Sequence, residues 1–303
     1  MQKRVLVVYY TQTGQLRDIV DSFTKPFSDN ADIALVFEAL QPRPPFPFPW
    51  TSDSFFQAMP ESVSGIPCEL EPLSLSTEEN FDLVVIAWQP WYLSPSVPVH
   101  AFFQQPVAKK ILKGKPVVTL IGSRNMWVMA HEDVKRYIRD AGGQLVGNIV
   151  LYDKAPNLLS VVSIIRWMFS GKKEGYLVFP PAGVSREDIE RTSAFGKLVF
   201  DALTSGEFNV LNARLVEAGA VDVLPGLVMI EKRGKIFFRM WARFILRKGQ
   251  YGDPARIGRV RLFKYYLLTV LYLVSPFASL LFFITKPFRK QALKKQISLY
   301  QSN

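Results

Sequence analysis

The feature that most limits what this chain can become is its opening run, Arg4-Val5-Leu6-Val7-Val8-Tyr9-Tyr10, which breaks at once into Thr11-Gln12-Thr13-Gly14-Gln15-Leu16. A short apolar, β-branched run that ends in a Thr/Gly turn reads as a strand buried on both faces, as in a parallel sheet. From Leu16 onward Ile19, Val20 and Phe23 recur at helical spacing with Asp18 in the first turn, so the turn feeds a helix. Strand, loop and helix N-terminus form a cradle for one phosphate, lined by backbone N–H groups, the hydroxyls of Thr11 and Thr13, and the positive helix end. Neither G-x-G-x-x-G nor G-x-x-x-x-G-K-[ST] occurs in the chain. The expected ligand is therefore a mononucleotide, not a dinucleotide or a nucleoside triphosphate.

Four later runs repeat the strand pattern, at 33–37, 81–88, 116–122 and 145–151, with helical patterns at 99–112 and 132–141 between them. Five strands with helical crossovers predict an α/β chain with a doubly wound, five-stranded parallel sheet. In such sheets the ligand lies beyond the carboxyl ends of the strands, where strand order reverses. The third run leads into Gln89, Pro90, Trp91 and Tyr92, and the fourth into Gly122, Ser123, Arg124, Asn125, Met126 and Trp127. Both loops offer aromatic surface and hydrogen-bond donors, which suit a planar ring with one polar edge.

Two segments interrupt this regularity. Between 41 and 76 lie Pro42, Pro44, Pro45, Pro47, Pro49, Pro60, Pro67 and Pro72, which oppose a long helix or a central strand. The same stretch carries Phe46, Phe48, Trp50, Phe55 and Phe56, and reads either as a lid over the ligand or as a loop packed on its own side chains. Beyond the fifth strand, 156–169 is apolar and suits a helix, 176–181 a short extended piece, and Ser185 caps a helix that ends at Gly206.

Charge divides the chain unevenly. The net charge is +11, yet residues 227–303 hold 16 Lys and Arg against only Glu231 and Asp253, a net +14, which leaves the first 226 residues at −3. Residues 265–285 contain no charged side chain and are flanked by bases on both sides. That length approaches the ~20 residues of a membrane span, but Pro276 near its middle favours an in-plane or re-entrant hairpin. The 236–248 stretch, with Phe237, Phe238, Met240, Trp241 and Phe244 among Arg239, Arg243, Arg247 and Lys248, reads as amphipathic and basic. An anionic membrane surface is the expected partner of this extension, and nucleic acid is not. The layout expected is a body at 1–225 with an irregular insertion at 41–76, then a membrane-associating extension at 226–303. A single cysteine, Cys68, excludes a disulfide framework, and no metal site is expected. Residues 1–20 show no leader pattern, so the expected place is the cytoplasmic face of the cell membrane.

The turn at 11–16 resembles the T-x-T-G-x-T loop of flavodoxins, which binds the terminal phosphate of FMN; its last threonine is Leu16 here. More widely, YYTQTGQL, FPFPW, WYLSPS, IGSRNMWVMA, LVGNIVL, RWMFSGKK and the SREDIE-to-FGK helix resemble the bacterial dialkylresorcinol condensing enzymes, roughly as far as Met240. The resemblance implies a flavodoxin-like fold, FMN as cofactor, and a ketosynthase partner in making the dialkylresorcinol part of flexirubin-like pigments. Phosphate contacts then fall to Thr11, Gln12, Thr13, Gly14, Gln15 and Leu16. The ring falls between Gln89, Pro90, Trp91 and Tyr92 on one side and Gly122, Ser123, Arg124, Asn125 and Trp127 on the other. The expected reaction is the two-electron oxidation of a lipid-like dialkylcyclohexane-1,3-dione to a 2,5-dialkylresorcinol. His131 is the candidate base, Tyr92 the candidate partner of a ring oxygen, and Arg124 the candidate enolate stabiliser. A second copy of the chain is a further candidate partner. The rival readings are an NAD(P)H-dependent quinone or FMN reductase, an electron carrier, and a scaffold without cofactor.

Overall fold

A computed structural model describes residues 2–274, 277 and 290–302. At its centre β1 (Lys3–Tyr9) pairs with β2 (Ile33–Ala39) on one side and with β3 (Leu83–Trp88) on the other. The sheet continues through β4 (Pro116–Ser123) to β5 (Gln144–Tyr152), every pair parallel, in the order β2-β1-β3-β4-β5. This is the flavodoxin-like order, with its switch point between β1 and β3. Val5, Leu6, Val7 and Val8 are all buried, as expected of a strand covered on both faces.

The reversal of direction at β1 fixes where the helices go. Right-handed crossovers place the helix of the β1–β2 connection on one face and those of the β3–β4–β5 connections on the other. The first is α1 (Gln15–Ser28), the others α4 (Val97–Gln104), α5 (Pro106–Leu112) and α6 (Val128–Asp140). The single helix expected over 99–112 is split, because Pro106 pushes Gln105 into extended backbone with ψ 138°. On the first face α8 (Arg186–Ser205) lies so close to α1 that a Cβ on Gly196 would meet the Phe23 carbonyl oxygen at 2.0 Å. Ser185 caps α8 through the Asp188 N–H, and Gly206 ends it in the left-handed region.

The proline-rich insertion is more ordered than its composition suggests. Pro42–Arg43 pairs antiparallel with Glu69–Leu70, and between them stand α2 (Ser52–Gln57) and α3 (Met59–Ser64). Thr51 and Ser54 form a capping box for α2, and Pro60 sits in the first turn of α3, where its missing N–H costs nothing. The prolines thus lie outside the helices or at a helix start.

After β5 come α7 (Asn157–Ser170), α8, α9 (Leu211–Glu217) and α10 (Pro225–Leu246). Next are α11 (Ile257–Thr269), a π turn over Val270–Val274 and α12 (Lys290–Gln301). The basic extension folds back onto the body. Phe56 and Met59 of the insertion form one apolar cluster with Ala242, Ile245, Val260 and Phe263. Arg256, fully buried, grips the Glu61 carboxylate with both terminal nitrogens at 2.6 and 2.9 Å and also donates to the Gln57 carbonyl. Glu231 accepts the Met129 N–H at the start of α6 at 2.8 Å, and Lys235 donates to the Met129 carbonyl at 2.6 Å and pairs with Asp133. The hairpin expected about Pro276 lies outside the described residues. Among the described residues no helix is long and apolar enough to cross a membrane.

Candidate functional site

The carboxyl ends of β1, β3 and β4 open into a largely apolar cleft of about 520 Å³. Its polar end is the 11–15 loop. Gly14, at φ 86°, is the N-cap of α1, a backbone conformation that L side chains adopt at a cost. Thr11 Oγ1 accepts the Gly14 N–H at 3.1 Å and Thr13 Oγ1 the Gln15 N–H at 3.4 Å. Each hydroxyl thus holds the turn as an acceptor and keeps its own O–H for a ligand. Gln12 and Thr13 line the cleft, whereas Thr11 and Gly14 shape the turn behind it. Gln15 lines the cleft but spends its amide on Val184, accepting its N–H at 3.0 Å and donating to its carbonyl at 3.2 Å.

Leu16 reaches the cleft wall only as core. It is buried, and a Cβ on Gly122 would meet its Cδ1 at 3.1 Å. The residue in the place of the last motif threonine therefore packs α1 onto β4 and contributes no hydroxyl.

The middle of the cleft is made by the two loops. Pro90–Trp91 and Ser94–Pro95 form a hairpin whose two turn residues, Tyr92 and Leu93, sit at φ 49° and 59°. Non-glycine residues in this region cost on the order of 1 kcal/mol or more each unless their surroundings compel them. Here they do. The Tyr92 hydroxyl donates to the Phe55 carbonyl at 2.7 Å, and Ser62 Oγ donates to the Trp91 and Pro95 carbonyls. Leu93 packs against Gly234 of α10 so closely that a Cβ there would lie 2.9 Å from its Cδ1. Trp91 stands edge-on to Phe46 and Trp50 at 5.1 and 5.5 Å. Burial holds the Tyr92 phenol well above its ordinary pKa.

Across from this hairpin lie Gly122, Ser123 and Arg124. Arg124 donates through Nη1 to Oδ1 of Asn157 at 2.9 Å and to Ser160 Oγ at 3.2 Å. Burial lowers its pKa to about 10, with Asp153 acting in opposition, so it stays cationic at neutral pH. Ser123 Oγ is buried with no hydrogen-bond partner among the described residues.

The other end of the cleft is apolar. Val161, Ile164, Ile165 and Met168 of α7 face Leu267, Leu268 and Leu271, with Phe55, Phe56 and Phe169 nearby. Lys264 and Ser52 are the polar groups at that end, joined by a 2.8 Å hydrogen bond.

Besides Thr11 and Gly14, three candidates do not reach the cleft. His131 is 3% exposed in the first turn of α6, stacked on Trp88 at 6.3 Å and against Trp127, and burial lowers its pKa to about 3. It is thus a neutral core imidazole and not a base at the loop cluster. Trp127 is 2% exposed beside it, and Asn125 is buried, donating to Asn157 Oδ1 at 2.8 Å. Gln89, Pro90, Trp91, Tyr92, Gly122, Ser123 and Arg124 do line the cleft. Sequence reasoning overlooked the α7 wall, although 161, 164, 165 and 168 form an i, i+3, i+4, i+7 stripe that marks one helix face.

No protein-family model matches the chain, and no curated protein is significantly similar to it. Solved structures similar to it include a flavoprotein in complex with FMN from Lactobacillus acidophilus NCFM, 18% identical with a TM-score of 0.38, covering 49% of this chain and 93% of that one. A protein described as a flavoprotein from Bacteroides eggerthii DSM 20697 is 17% identical with a TM-score of 0.39, over 50% and 92% of the two chains. Another from Bacteroides uniformis ATCC 8492 is 14% identical with a TM-score of 0.40, over 55% and 99%.

Proposed function

We propose that the protein is an FMN-dependent oxidoreductase that converts a dialkylcyclohexane-1,3-dione, made by a partner ketosynthase, to a 2,5-dialkylresorcinol. One observation carries this reading: a single cleft at the switch point has a phosphate-type turn at one end and an alkyl-sized apolar wall at the other. The residues suit the cofactor. The Thr13 hydroxyl presents a donor at the turn, Gln12 keeps one amide N–H beyond the one it gives the Pro47 carbonyl, and Ser123 lines the cleft between strand ends. Trp91 and Tyr92 supply the aromatic side.

Bound FMN supplies a two-electron acceptor. Aromatisation takes a hydride from one ring carbon to that acceptor and a proton from the neighbouring carbon beside a carbonyl to solvent, after which the ring tautomerises to the diol. The Arg124 guanidinium makes the proton more acidic by stabilising oxyanion character on the ring. Among the described cleft residues there is no carboxylate or imidazole, so the proton passes to solvent, Arg124 acts through its charge alone and His131 takes no part. The Tyr92 oxygen, whose O–H donates to the Phe55 carbonyl, keeps its lone pairs as an acceptor for a ring hydroxyl.

A lipid-like substrate agrees with a docking face on the extension. Ile236, Met240, Leu262, Tyr265 and Leu273 are exposed among Arg239, Arg243 and Arg261. This surface suits the interface of an anionic bilayer. Sedimentation with anionic vesicles, lost in neutral vesicles or at high salt, is the expected behaviour.

The central test is a visible spectrum of the purified protein followed by anaerobic mixing with a dialkylcyclohexanedione. Flavin bleaching with release of the resorcinol supports the reading. Rapid bleaching by NADPH with none by the dione would replace it with a reductase, and a colourless protein that takes up no FMN would end it.

A further inference from the structure

The only charged side chains that line the cleft, among the described residues, are two cations, Arg124 and Lys264. Neither takes part in any ion pair among the described residues. Arg124 is anchored through Nη1 by two side chains, Asn157 and Ser160. Lys264 is different. Its ammonium, half-buried at the start of the apolar end, donates to the neutral Ser52 hydroxyl at 2.8 Å and lies 5.9 Å from the Phe56 ring centre. An ammonium carries three donors. Withdrawing one from water beside an apolar wall is unfavourable unless an anion completes its shell.

The position of Lys264 along the helix gives the shape of that anion. Residues 264, 267, 268 and 271 follow i, i+3, i+4, i+7, so one face of α11 and the turn after it shows a cation followed by three leucines. On α7 a stripe of the same period, 161, 164, 165 and 168, lines the cleft with apolar side chains only. A charged point that leads into two apolar stripes matches an amphiphile with an acidic head.

We propose that Lys264 is the anion-selecting residue of the cleft: a delocalised oxyanion, a 1,3-dicarbonyl enolate or a carboxylate, pairs with its ammonium while the attached alkyl chain lies between α7 and the leucines of α11. This rests on the substrate class proposed above and assigns its recognition to the basic extension, whose other buried bases, Arg256 and Lys235, are taken up by Glu61 and Asp133.

The test compares three probes on the full-length protein by quenching of tryptophan fluorescence, since Trp50, Trp91 and Trp167 line the cleft. The probes are decanoate, a 5-alkylcyclohexane-1,3-dione and neutral decanol. Wild type binds at least one of the two acids roughly 10-fold or more tightly than decanol, the scale of a charge-assisted hydrogen bond. Which acid binds more tightly identifies the head group. Lys264→Met and Lys264→Gln abolish this ratio and leave decanol affinity unchanged, and Lys264→Arg restores it. Equal affinities for acid and alcohol in wild type, or an unchanged ratio in both neutral variants, overturn the proposal. FMN uptake is measured in parallel from the flavin spectrum. If the neutral variants alone lose FMN, Lys264 serves the cofactor and the proposal falls. If wild type takes up no FMN, the oxidoreductase reading falls, while the acid-to-alcohol ratio still decides Lys264.

Discussion

The two ends of the cleft are built in opposite ways. The polar end comes from one contiguous turn, residues 11–15, whose hydroxyls and glycine are held by hydrogen bonds only two or three residues apart. The apolar end is assembled from α2, α7 and α11, segments more than 200 residues apart at the extremes, with α2 and α11 joined at the cleft by Lys264 to Ser52 and Phe56 to Phe263 and behind it by the Arg256–Glu61 pair. A local turn carries its geometry in its own residue types. An assembled wall depends on anchors elsewhere, so it is both harder to read and easier to dismantle.

The contrast is broken most severely at the anchor. Arg256→Met leaves the Glu61 carboxylate buried without its partner and is expected to lower stability by about 3–5 kcal/mol in urea unfolding. Leu16→Thr restores the motif hydroxyl but removes core packing between α1 and β4. It is expected to cost roughly 2–5 kcal/mol, as large-to-small core changes do, with no gain in FMN affinity. Thr13→Ala sharpens the comparison from the polar side: FMN affinity falls about 10-fold, the scale of one hydrogen bond to a charged group, while decanol binding is untouched.

A further effect is in pH dependence. Burial raises the pKa of Glu231 from 4.5 to about 7, with the Met129 N–H and Lys235 opposing the shift. The unfolded carboxyl loses its proton first, so stability from this group is present below pH 4.5 and is lost as pH rises to about 7. Glu231→Gln, which keeps an acceptor for the Met129 N–H, is expected to flatten that part of a stability–pH curve.

What could be read in advance follows the same division. The five strands were legible because Val5–Val8 and 83–88 are apolar runs too short for helices and bounded by turn residues. The 11–16 loop was legible because its φ-positive glycine and hydroxyls are adjacent. His131 was misplaced for a reason of period. The α6 helix begins at Val128 and not near 132, which puts His131 in the first turn and turns it onto Trp88. Two short helices in the insertion were hidden by prolines that stand at their margins. The start of the 265–285 run looked lipid-seeking because an apolar face reads the same whether it meets a bilayer or a cleft.

The stitch between Gln15 and Val184 ties these two halves in time as well as in space. Gly183, next to Val184, gives its N–H to Asp153, whose backbone N–H donates to the Arg124 carbonyl, and Arg124 in turn grips Asn157 and Ser160 at the head of α7. A dianion that ordered the 11–15 turn would bear, through these four short links, on the head of the helix proposed to face the alkyl chain. Whichever ligand enters second meets a wall whose ordering entropy has already been spent. That linkage is reciprocal, so an alkyl chain against α7 favours the dianion by the same factor as the dianion favours the chain.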